Sequence, residues 1–183
     1  MPLPAGKLAI GPCRVFMLRR TQSENVDGIE VLGRAEFRQR TREAIVLLRP
    51  LGAFELIRGH LAGIRQGKRS GVNPWARDPI FTVGTPTWSH SALWYAGAIA
   101  HDAFHAKLYR DAKVHDPANE PSAEAWSGKA AERSCLAFQR EVLLALGADK
   151  RMITYVEEHA RNPTYQGSNR SWGSWLDYRK RWW

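Results

Sequence analysis

At 183 residues, 44% of them hydrophobic and 25% charged, the chain can bury one good core but is too short for two comfortable domains. No stretch approaches the roughly 20 apolar residues of a membrane-spanning helix, which excludes that class of protein. The net charge of +9 comes from basic residues scattered over several segments, so weak attraction to nucleic acid, anionic membrane or acidic protein is expected rather than a dedicated nucleic-acid groove.

No basic region followed by an apolar run opens the chain, and Cys13 and Cys135 form no Cys-x-x-Cys pair. A cytoplasmic protein without a disulfide framework is therefore expected, with signal-independent export left open. Residues 14–18 are β-prone, and residues 28–31 read as a second short strand. From Glu36 to Leu48 the pattern is helical, with Phe37, Ala44, Ile45, Leu47 and Leu48 on one side and arginines on the other. Pro50 ends or kinks that helix. A second amphipathic helix carries Phe54, Ile57, Leu61 and Ile64, and residues 66–71 read as a loop.

Residues 79–84, bounded by Pro79 and Gly84, are the best strand candidate. The apolar segment 89–109 is long enough only for a helix, and a loop follows at 116–121. One more long helix is predicted from Ser122 to Leu146, stopped by Gly147, with a short helix at 152–160. The tail from Asn162 holds Trp172, Trp175, Trp182 and Trp183 and is expected to wrap the domain. There are no repeats or linkers. The whole reads as one mainly helical α+β domain over 1–183, with a small β-sheet and a core at about 34–147.

The chemistry concentrates in His101-Asp102-Ala103-Phe104-His105. Histidines four residues apart on a helix project to the same side, so both imidazoles can reach one cation. Zinc needs at least a third protein ligand. On the next helix, Ala125, Cys135, Leu136, Gln139, Leu143 and Leu146 fall within about 60° of Glu132, taking about 100° per residue. Glu132 thus lies in an apolar stripe, where an unpaired carboxylate would cost several kcal/mol, and it calls for a cation. Lys129 lies at the stripe edge, and its long stem carries the charge out to water. His90 shares the face of the two histidines but lies about 16 Å along the helix from His101, too far for the same ion.

The His101–His105 motif, followed by Ala131-Glu132-Arg133-Ser134-Cys135-Leu136-Ala137-Phe138-Gln139, resembles the glutamate-ligand (gluzincin) type of zincin metallopeptidase, in a small bacterial His-Asp-x-x-His form. The likeness runs from the helix near Phe37, through Arg69-Ser70-Gly71, to about Gly147. It implies a zincin-like fold, with a short sheet packed on the active-site helix and residues 79–84 near the substrate cleft. It also implies one Zn2+ per chain on His101, His105 and Glu132, and a peptide or protein substrate. Zincins place Glu after the first histidine as general base, whereas this chain has Asp102, one methylene shorter and about 1 to 1.5 Å farther from its target. For stabilising the oxyanion, Tyr155, His159 and Tyr165 are the candidates, and the sequence does not choose among them.

Two rival readings stay open at this point. His101-Asp102 is also similar to the dipeptide of HD-type phosphohydrolases, which would recruit His60 and Asp149, though neither sits in a matching motif. Alternatively the protein is a non-catalytic, metal-stabilised binding module whose aromatic, basic tail contacts bases or a membrane interface.

Overall fold

The computed structural model describes residues 21–161. It opens with a β-hairpin, β1 (Gln22–Val26) and β2 (Ile29–Gly33), paired antiparallel with Val26 opposite Ile29. The two loop residues, Asp27 and Gly28, both have positive φ, 51° and 90°, as a twist-matched two-residue turn requires. Asn25 Oδ1 accepts from the Gly28 N–H, and Arg49 pairs with Asp27. The predicted strand at 28–31 is therefore the second arm of a hairpin. Residues 14–18 and the tail from Asn162 lie outside the described residues.

Two helices follow, α1 (Ala35–Leu48) and α2 (Ala53–His60), and then three strands, β3 (Gly63–Gly67), β4 (Gly71–Val72) and β5 (Ile80–Gly84). The sheet order is β1-β2-β3-β5-β4. β2, β3 and β5 run parallel, while β4 lies antiparallel to β5 at the edge. Ile64 was expected on the second helix; instead that helix ends at His60, Leu61 is extended, and Ile64 belongs to β3 between Val31 and Phe81. It reaches the same core from a strand, so its spacing from Leu61 imitates a helical face. Part of the expected loop at 66–71 is likewise strand.

A short helix α3 (Thr85–Trp88) leads into α4 (Ala92–His115), a 24-residue helix at the centre of the domain. Ser91 caps it, accepting from the Trp94 N–H. One face of the sheet (Ile29, Val31, Ile64, Phe81, Val83) packs with Phe37, Ile45, Leu48, Ile57, Tyr95 and Ile99 in a single buried cluster. Fully burying each of these larger side chains contributes on the order of 1.5–3 kcal/mol.

The helix expected from Ser122 to Leu146 is two helices, α5 (Ala123–Ser127) and α6 (Lys129–Ala145), with an extended break at Gly128 (ψ 177°). Ala125, expected in the stripe of Glu132, is consequently exposed. Past α6, Gly147 takes φ 72°, the left-handed value of a helix-ending glycine. The last described helix is α7 (Lys150–Arg161), which buries Met152, Ile153 and Val156 against Trp94, Leu136 and Leu143. α4 and α6 approach closely at Gly97, where a Cβ would stand 2.9 Å from Leu143 and 3.3 Å from Gln139. The result is a single mainly helical α+β domain with a five-stranded mixed sheet, and none of its described helices is long and apolar enough to cross a membrane.

Candidate metal centre

α4 and α6 bring His101, His105 and Glu132 together, and one candidate ligand atom from each lies within 4.8 Å of the others. His101 Nε2 and His105 Nε2 are 3.0 Å apart. Glu132 Oε1 is 3.5 Å from His101 Nε2, and Oε2 is 3.2 Å from His105 Nε2. The two distances from Glu132 are to different carboxylate oxygens, so each imidazole faces its own oxygen, and the group as a whole is compact enough to surround one cation. Glu132 is fully buried, His105 nearly so, and His101 opens slightly to solvent. The arrangement follows from helix geometry: the four-residue step aligns the imidazoles, and Glu132 faces them from the stripe that holds Cys135, Leu136 and Gln139 in the α4–α6 contact.

The second ring nitrogen of His105 explains its orientation. Nδ1 donates to the Trp126 carbonyl at 2.6 Å, which leaves Nε2 directed at Glu132 and His101. In a continuous helix the Trp126 carbonyl would accept from the N–H four residues on. The break at Gly128 releases it for the histidine. Sequence periodicity overlooked this residue, although Ser127-Gly128 inside a helical pattern was the available signal. Burial pulls the His105 pKa down, but Cys135, Glu132 and Asp102 together pull it up further, so the net direction is upward. Two imidazole nitrogens facing a buried carboxylate attract positive charge, whether a proton or a metal ion.

Asp102 is pushed up to about 7 by burial, opposed by His105, assisted by Glu132, and opposed again by the Val72 N–H. Its carboxyl therefore lies beside the edge strand β4 and within electrostatic reach of two of the three ligand candidates. Burial also raises the pKa of the Cys135 thiol, against the pull of His105.

Other sequence candidates fall elsewhere. Tyr155 and His159 stack on each other, with ring centroids 3.8 Å apart, and Tyr155 packs edge-on against Trp94, about two turns of α4 before His101. Tyr165 lies outside the described residues. His90 sits against Trp94 and the capping Ser91. His60 ends α2 with Nδ1 on the Leu56 carbonyl, and Asp149 caps α7 by accepting from the Met152 N–H. Neither belongs to the cluster a phosphohydrolase reading would need them in. Lys129 is exposed, as its stem length suggested.

No known protein family matches the chain, and none of the curated proteins or solved structures compared with it is detectably similar.

Proposed function

We propose that this protein is a zinc-dependent hydrolase of the metallopeptidase type, in which His101, His105 and Glu132 hold one Zn2+ and Asp102 handles the proton. The observation that carries the reading is the fully buried Glu132 carboxylate facing two imidazole nitrogens, one at 3.2 Å and one at 3.5 Å from its two oxygens, a compact buried group that calls for a cation. The donor set is chemically apt, since two neutral imidazoles and a carboxylate leave a fourth position for water or substrate. Zinc in such a set supplies Lewis acidity, polarising a carbonyl and lowering the pKa of a water.

Asp102 supplies the acid–base partner. Burial raises the Asp102 carboxyl toward neutrality, and the charge of a bound Zn2+ would pull it back down, so that it would stand ionised and ready to accept a proton. It takes a proton from the attacking water and delivers it to the leaving amine nitrogen. Glu132 and His105 also tune Asp102, the first raising and the second lowering its affinity for that proton. A peptide substrate is the class that the zincin resemblance implies, and the two-residue edge strand β4 stands beside Asp102, which its Val72 N–H contacts. The short sheet with α4 packed against β4 and β5 also agrees with the zincin resemblance.

Elemental analysis of purified protein tests the proposal. About one zinc per chain is expected, lost or greatly weakened in His101→Ala, His105→Ala and Glu132→Ala, and retained in His90→Ala. Zinc-loaded wild type should cleave members of a peptide library. Protein that takes up no zinc overturns the site; full zinc without turnover leaves a metal-stabilised binding module.

A further inference from the structure

Trp126 meets the site through its carbonyl on His105 Nδ1, and its indole packs against aromatic neighbours from two other elements. The Trp75 ring, from the segment between β4 and β5, lies edge-on with its centroid 5.8 Å away. The Tyr109 ring, one turn after His105 on α4, lies edge-on at 6.0 Å. α5, the helix that carries Trp126, has five residues and buries none of them. A helix that short has little stability of its own, since nucleation costs more than a single turn returns. α5 is instead held by its packing on α4 and α6, in which the Trp126 indole takes part.

We propose that Trp75 and Tyr109 clamp Trp126 so that its carbonyl holds His105 with Nε2 facing the metal position, which makes Trp126 a positioning residue for the cation. This rests on the metal reading above. Edge-to-face aromatic pairs contribute beyond simple burial, and a hydrogen bond to the distal nitrogen of a ligating histidine sets both its tautomer and its ring orientation. Trp75 is 62% exposed and buries little core surface, so its most specific contact is this one. The clamp also ties the segment after β4 to the metal ligand, linking the edge strand beside Asp102 to His105.

Zinc affinity of the full-length protein, measured by competition with a chromogenic chelator, tests this without any catalytic readout. Trp126→Ala should weaken zinc by about 10- to 100-fold, the usual scale for losing the support of a ligand. Trp126→Phe should weaken it less, and Trp75→Ala, at an exposed position where folding is secure, should give a smaller loss in the same direction. Ile153→Ala, in the α6–α7 core, should lower the melting temperature and leave zinc affinity unchanged, which separates positioning from general stability. Wild-type affinity in folded Trp75→Ala and Trp126→Phe overturns the clamp while the metal site stands. Wild-type protein that binds no zinc overturns the site and the clamp together.

Discussion

Replacing Glu132 by Gln separates a metal centre from a buried proton-sharing cluster. The side chain keeps its size in a fully buried position, so little packing is lost, while the charge facing His101 and His105 disappears. In metal-free protein, removing one partner of a buried pair costs up to about 3–5 kcal/mol, so the zinc-dependent gain of each protein is read from its own metal-free midpoint. With zinc the two gains diverge. A ligand present at about 1,000 times its Kd stabilises the folded state by about 4.1 kcal/mol. For a chain of this size each kcal/mol moves the melting temperature by about 2–4 °C, so wild type should gain about 8–16 °C. If Gln weakens zinc about 100-fold, the same concentration is only about ten times Kd and contributes about 1.4 kcal/mol, or about 3–6 °C. Differential scanning fluorimetry at pH 7.5, with and without a chelator, reads all four states. No zinc-dependent gain in wild type, or equal gains in the two proteins, would refute the reasoning.

Asp102→Asn should keep zinc at full occupancy and cut peptide hydrolysis by about 100-fold or more, whereas Asp102→Glu should retain activity; parallel zinc analysis and turnover measurements check both. Gly97→Ala should destabilise the domain by about 1 kcal/mol in urea titrations, because overpacking against Leu143 and Gln139 outweighs the helix-propensity gain of about 1 kcal/mol. An equal or higher midpoint would contradict that close approach. Tyr95 donates or accepts a 2.9 Å hydrogen bond with Thr41, and its burial raises the phenol pKa well above the usual value. The folded state therefore keeps a proton that the unfolded chain releases, and wild-type stability falls as pH rises above about 10. Tyr95→Phe should cost about 1 kcal/mol at pH 8 and lose that disadvantage near pH 11, as denaturant titrations at the two values would show.

Long periodic segments were legible before any coordinates. α1, α4 and α7 stand close to where their apolar spacing put them, and β5 follows the run bounded by Pro79 and Gly84. The hairpin carried its own signal in Asp27-Gly28, but the first arm, Gln-Ser-Glu-Asn-Val, has too little apolar alternation to declare itself a strand. Ile64 went to the wrong element because a residue entering one core from a strand has no period that distinguishes it from the next turn of a helix.

The candidate ligands follow from sequence because their geometry is local: two histidines share a helix face, and Glu132 sits in a stripe where a carboxylate demands company. Spacing within an element is dictated by the backbone, and the amino-acid order alone carries it. What lies between elements was decided only by tertiary structure. The Trp126 carbonyl reaches His105 because a helix breaks at Gly128, Asp102 faces Val72 because β4 forms the sheet edge, and Tyr155 packs on Trp94 and His159 because α7 lies along α6. Each of these depends on how independently formed elements pack, and such contacts between distant residues leave no periodic trace in a single sequence.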